Sequence, residues 1–264
     1  MRTLLAAART LLAGSFLALF ILLAGPLLVL HCVLTGSADL LYRASVAAAS
    51  LALRLAGVRA RVEGLENIPP GVCLFIANHV SNVDPPAIVC ALPRRVALIA
   101  KEAVFRIPIF GTAMRLGKFI PVNRANRGAA LASFDLARRY LSEGMSFLVF
   151  AEGTRSPDGR LMKFKKGTFV LAIETGAPVV PVTIIGTQHV MPRGASLVRP
   201  GSVLIRFHPP VDPAGYTLQR RDQLMERVRA VVASGLPPDQ LQPSPNAPAT
   251  AGARRHSERS EESL

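Results

Sequence analysis

Residues 11–34 read LLAGSFLALFILLAGPLLVLHCVL, a run of 24 residues without a charge, and no other feature restricts the possible folds so strongly. As one helix rising 1.5 Å per residue it would be about 36 Å long, enough to cross a bilayer. Pro26 lies inside it, where the missing N–H favours a kink or turn. The next stretch, 38–57, is rich in Ala and Leu but carries Arg43 and Arg54. Set about three helical turns apart, the two arginines share one face, and the uncharged piece between them is too short to span. An interfacial helix with its arginines among lipid headgroups fits better. Basic residues flank the apolar run on both sides, Arg2 and Arg9 before it and Arg43, Arg54, Arg59 and Arg61 after it. Charge asymmetry therefore gives no vote for a simple crossing. A segment kinked at Pro26, entering one leaflet and returning, would leave both flanks cytoplasmic. The competing reading is a cleaved signal peptide, but its apolar region would exceed the usual length of roughly 7–15 residues and no persuasive A-x-A site follows. Residues 1–57 are expected to be a retained anchor on the cytoplasmic face of the inner membrane.

From Val58 to Gly235 the pattern changes to short apolar runs alternating with helical stretches. Strands are expected at 59–63, 72–77, 96–100, 118–122, 146–151, 178–185 and 202–208, and helices at 84–92, 127–142, 165–176 and 216–234. Such alternation predicts an α/β domain, a central mixed sheet flanked by helices. Residues 236–264 are Pro-, Ala- and Ser-rich without periodicity and are expected to be a disordered tail. The tail carries three Arg against one Asp and three Glu, so the whole-chain charge of +14 leaves about +15 on residues 1–235. An anionic partner follows, and anionic membrane lipids suit it better than nucleic acid, for which no recognition motif stands out. Cys32, Cys73 and Cys90 are widely spaced in apolar surroundings. They support neither a disulfide framework nor a metal site.

Two segments carry the chemistry. In VCLFIANHVSNVDP, 72–85, a buried strand ends at Asn78, with His79 and Asp84 on the loop beyond it. Histidine is suited to take a proton near neutral pH, and a carboxylate can fix its tautomer. Their spacing would hold them apart on a continuous helix, so they meet only if the intervening VSNV turns. Asp84 before Pro85 also reads as a helix cap, the blander alternative. In FLVFAEGTRS, 147–156, a strand runs into a glycine turn. Arg155 can grip a phosphate through two N–H donors, and the N–H groups of Gly153 and Thr154 can add to an anion-binding concavity. A local Glu152–Arg155 ion pair is the alternative. Strand 118–122 leads through GKFIPVNR to Arg124, a second candidate phosphate contact, and KEAVFRIPIFG, 101–111, resembles a cover over a lipid-facing cleft. Gly111–Lys118 only superficially resembles a P-loop. No G-x-S-x-G elbow occurs, which disfavours the usual serine hydrolase.

Taken in order, NHVSNVD, the Phe105–Gly111 loop, GKFIPVNR, FAEGTRS and VVPV at 179–182 resemble the glycerolipid acyltransferase family, specifically the 1-acylglycerol-3-phosphate acyltransferases. The resemblance runs from about residue 58 to 210. It implies that His79 is the catalytic base, that Asp84 orients it, and that Arg124, Glu152, Gly153, Thr154 and Arg155 bind the acceptor. It implies transfer of an acyl group from a thioester, acyl-CoA or acyl-acyl carrier protein, to lysophosphatidic acid, with no metal and no cofactor beyond that co-substrate. Ala151 departs from the pattern, standing where the family usually has Pro. Another lysolipid, such as a lyso-ornithine lipid, remains open as acceptor, as does a lipid hydrolase using His79 to activate water.

Overall fold

A computed structural model describes residues 2–122 and 127–241. It opens with a helical hairpin, α1 (Arg2–Thr35) and α2 (Asp39–Leu55). Pro26 does not turn the chain. Helix α1 continues through it for 34 residues, about 51 Å, and the reversal falls at Gly36–Ala38. One lost backbone bond leaves the rest of the helical ladder intact. Gly36 adopts φ 68 and closes the helix by donating its N–H to the Cys32 carbonyl, a conformation a side chain would disfavour. The return brings Arg9 beside Gly57, so Arg2 and Arg9 share one end of the hairpin with Arg54, Arg59 and Arg61, while Arg43 stands near the reversal.

Helix α1 is two-faced in size rather than polarity. Ala6, Ala13, Gly25 and Cys32 are buried, while Leu19, Leu23, Leu27 and Leu30 are each more than half exposed. The small residues let α1 approach the domain closely. A Cβ on Gly25 would come 2.6 Å from Ile109 Cγ2. Helix α2 buries Leu41, Ala48 and Ala52 and leaves Arg43 and Arg54 exposed.

The domain follows as β1 (Val58–Glu63), β2 (Leu74–Ala77), α3 (Asp84–Ala91), β3 (Val96–Lys101), α4 (Phe110–Leu116), β4 (Ile120–Val122), α5 (Arg127–Ser142), β5 (Ser146–Phe150), α6 (Gly167–Thr175), β6 (Val179–Ile185), α7 (Thr187–Val190), β7 (Gly201–Phe207) and α8 (Arg221–Ser234). The strands form one seven-stranded sheet in the order β1-β7-β6-β2-β5-β3-β4. Among the described strands β6 and β7 pair antiparallel and the other pairs are parallel, so the sheet is mixed, as expected. Strand β2 is central, between β5 and β6, and its residues are buried on both faces, as parallel strands covered by helices are. Alternate residues supply two cores. Phe75 and Ala77 face a core with Ala52, Ala56 and Ile88 on the hairpin and α3 side. Leu74 and Ile76 face Leu141, Phe169, Leu171 and Val228 from α5, α6 and α8. The hairpin is thus one layer of the fold rather than an appendage.

Three boundaries differ from expectation. Strand β4 starts at Ile120 rather than Lys118, because Lys118 follows the end of α4 at φ 63. The residues before Arg221 form two single-turn 3₁₀ helices. The chain also stays packed beyond Gly235. Leu236 is buried in the second core, and Leu161 N–H donates to the Gln240 carbonyl at 2.9 Å, so residues 236–241 belong to the domain. The remaining tail, 242–264, lies outside the described residues.

Candidate active site

Strands β2 and β5 run parallel with Ala77 opposite Phe150, so the segments leaving their carboxyl ends meet. Asn78 anchors the first. Its side-chain amide donates to the Ile184 carbonyl at 2.9 Å and accepts from the Ile184 N–H at 2.8 Å, extending the pairing with β6 by one residue. The chain then turns, and His79 Nδ1 lies 2.8 Å from Asp84 Oδ2. The same oxygen accepts from the N–H groups of Val80 and Ser81, each at 2.7 Å. It is an acceptor throughout, so Nδ1 carries the hydrogen and Nε2 is left with its lone pair. Ser81 fastens the turn from outside by donating to the Met191 carbonyl at 2.8 Å. Asp84 is fully buried and opens α3, but its carboxylate faces back to residues 79–81 instead of capping the helix. The turn needed to bring His79 and Asp84 together is therefore built around Asp84 itself.

The second segment grips His79 from the other side. Phe150 stacks under the imidazole, with ring centroids 4.1 Å apart and planes 25° from parallel. Glu152 Oε1 accepts from the His79 N–H at 2.8 Å, and the His79 carbonyl accepts from Ser156 N–H at 2.7 Å. The other carboxylate oxygen of Glu152 accepts from the Met162 N–H at 3.2 Å. Burial pushes the Glu152 carboxyl up to about 7 against the lowering effect of those two amides, with the neighbouring Asp84 charge raising it further. Committed to backbone amides, Glu152 does not form the local ion pair with Arg155. Nor does it line the open space beside His79. This corrects the expectation that Glu152 contacts the acceptor: it is 1% exposed and turned into the interior.

That space is a cavity of about 1130 Å³ reaching from His79 between α2, β3 and residues 101–117. Thr154 and Arg155 line it with His79, while Gly153 makes the preceding turn at φ 74. Arg124 lies outside the described residues. The segment 101–111 does cover the cavity, bringing Lys101, Glu102, Arg106 and Phe110 to its wall. Lys163, Lys165 and Lys166 are exposed instead, Lys166 pairing with Asp222 at 2.8 Å. Ala151, standing in place of proline, is buried, and its carbonyl accepts from Lys165 N–H at 2.7 Å. Burial pushes the Cys73 thiol up, and that of Cys90 up to about 11, so both behave as packing residues. Among the described residues no group of three His, Cys, Asp or Glu could hold a metal.

Sequence reasoning missed Phe150, Lys101 and Arg106 as members of this site. The first was hidden because only the β2–β5 pairing puts it against His79. The last two sat unremarked within a segment already read as a cover.

Comparison with known proteins agrees with this geometry. Residues 59–185 match the acyltransferase domain family. A 1-acyl-sn-glycerol-3-phosphate acyltransferase of Chlamydomonas reinhardtii is 40% identical over 179 residues, 67% of this chain, which spans about half (52%) of that protein's length. The enzyme of the same name from Limnanthes douglasii is 31% identical over 72% of this chain and 68% of its own length. The crystal structure of the 1-acyl-sn-glycerophosphate acyltransferase PlsC from Thermotoga maritima superimposes with a TM-score of 0.73 at 30% identity, covering 89% of this chain and 98% of that one. By sequence and by fold, the chain belongs to the 1-acyl-sn-glycerol-3-phosphate acyltransferase family.

Proposed function

We propose that the protein transfers a fatty acyl group from an acyl thioester, carried by coenzyme A or acyl carrier protein, to the free hydroxyl of 1-acylglycerol 3-phosphate, giving phosphatidic acid for phospholipid synthesis. The observation that carries this reading is the oriented His79–Asp84 pair at a lipid-sized cavity that also holds the Arg155 side chain. His79 Nε2 takes the hydroxyl proton as the oxygen attacks the thioester carbonyl. The tetrahedral intermediate collapses with cleavage of the C–S bond, and the departing thiolate takes the proton back from the imidazolium. General-base assistance of this kind is worth roughly 10²–10⁴-fold. Arg155 holds the acceptor phosphate, and the cavity takes up acyl chain.

The outward Leu stripe of α1, with Arg2, Arg9, Arg54, Arg59 and Arg61 at one end of the hairpin, supports a seat on an anionic, cytoplasmic membrane surface. Helix α1 is also long and apolar enough to cross a bilayer by length and composition. The arrangement of the hairpin as a packed layer of the domain favours the monotopic seat.

The test is purified protein with labelled acyl thioester and a panel of lysolipids. His79→Ala should abolish transfer. Arg155→Ala should lower kcat/KM for the acceptor roughly 10–150-fold, the loss of one charge-assisted phosphate contact, with little change for the donor. Release of free fatty acid at the same rate with and without acceptor would identify a hydrolase instead.

A further inference from the structure

We propose that Phe150 is a positioning residue for His79, an aromatic platform that sets the plane of the catalytic ring and bears its charge during transfer. The inference rests on the acyltransferase reading above.

A histidine side chain has two soft torsions, and a base must have both settled before substrate arrives. Asp84 settles which nitrogen faces the carboxylate, since Oδ2 sits 2.8 Å from Nδ1. A single hydrogen bond leaves the ring free to tilt about the Nδ1···Oδ2 line, and tilting swings Nε2 across the cavity. Phe150 removes that freedom. With centroids 4.1 Å apart and planes within 25° of parallel, the two rings are in face contact, and a tilt would drive the imidazole edge into the phenyl ring. The backbone of His79 is pinned independently by Glu152 and Ser156, so the Cβ from which the ring hangs is already fixed. Phe150 itself is placed by the sheet. It is the last residue of β5, paired in register with Ala77, two residues before His79. The platform thus ends one strand, and the base follows the end of the adjacent parallel strand by two residues.

The contact also has a chemical consequence. When Nε2 takes the acceptor proton, the positive charge spreads over a ring lying on an aromatic face, and the negative quadrupole of that face favours the cation over the neutral ring. The interaction grows as the transition state is approached, so it acts on turnover rather than on substrate binding. Phe150 also lines the cavity. The alternative is that it is merely an apolar wall against acyl chain, a task leucine would perform as well.

The experiment compares Phe150→Leu, Phe150→Tyr and Phe150→Trp with the unaltered protein, using labelled acyl-CoA and lysophosphatidic acid in mixed micelles, with thermal unfolding as a check on folding. A platform predicts that Leu lowers kcat roughly 3–30-fold while both KM values stay within about twofold, and that at least one aromatic variant restores kcat. Alkylation of His79 by an imidazole-directed reagent, followed by mass spectrometry, gives a readout independent of turnover. The rate should change in the Leu variant and return toward the original with an aromatic ring. Should Leu lower stability too far to assay, Phe150→Met in the same series replaces it. A Leu or Met variant with unchanged kcat, or one altered only in KM, would overturn the platform while leaving the acyltransferase reading intact. Absence of transfer by the unaltered protein would instead overturn the reading beneath it.

Discussion

At the scale of single residues, the site separates groups that face substrate from groups that hold those groups still. Glu152 belongs to the second kind, and its burial has a measurable signature. Its carboxyl is raised from an ordinary value near 4.5 to about 7, burial first among the causes. The folded protein therefore holds that proton more tightly than the unfolded chain. The associated stabilisation is complete below pH 4.5 and is lost as pH rises through about 7, at about 1.4 kcal/mol per pH unit. Glu152→Gln has no such proton to lose. The unfolding free energy of the unaltered protein, measured relative to that variant, should fall between pH 5 and pH 8, by roughly 1–3 kcal/mol. A flat difference across that range would show that Glu152 is not buried as described. His79 and Asp84 were legible in the sequence because their turn lies within six residues and its chemistry is local. The role of Glu152 was not, because its partners are amides at His79 and Met162 that only the fold brings near.

At the scale of elements, the segment covering the cavity contains a strained backbone turn. Ile109, a β-branched residue, has φ 63 and ψ −57, and Phe110 N–H closes a three-residue turn onto the Pro108 carbonyl at 2.6 Å. This is the rare positive-φ γ-turn, which costs about 1–3 kcal/mol and persists only where its surroundings impose it. The surroundings here include Gly25 of α1, whose missing side chain leaves room for Ile109. Gly25→Ala should therefore destabilise the protein by roughly 1–3 kcal/mol, as overpacking does. In an Ile109→Gly background, where the colliding side chain is gone, the same change should cost much less. A double-mutant cycle by denaturant unfolding in detergent measures the coupling, and additivity would mean that the contact carries no energy. Periodicity placed every strand and the main helices of the domain to within a few residues. It could not reveal that α1 packs along α4, because Gly25 and Cys32 read as ordinary members of an apolar run. The reversal was misplaced at Pro26 for the same reason. Proline is the stronger local signal, but Gly36 has the backbone freedom that ends the helix.

At the scale of the whole molecule, the hairpin is both the apolar exterior and part of the cavity wall, since Leu41, Tyr42 and Val46 of α2 line the space reached by His79. Removing residues 1–57 would open the first core and confuse anchoring with folding. A cleaner separation replaces only outward residues: Leu19→Gln, Leu23→Gln, Leu27→Gln and Leu30→Gln together should leave the unfolding temperature close to its original value. The same protein should lose most of its sedimentation with anionic vesicles while still acylating a short-chain, water-soluble acceptor. In intact cells, Thr3→Cys and Arg61→Cys should both react only with reagents that enter the cytoplasm. Labelling of the first from outside would mean that α1 crosses the bilayer. If the monotopic seat holds, the wall shared by hairpin and cavity makes the enzyme an interfacial catalyst in the kinetic sense. Its rate should follow the mole fraction of acceptor in the surface it occupies rather than the amount of acceptor per litre. Diluting the vesicles with inert lipid at constant total acceptor should slow it, and adding more buffer should not.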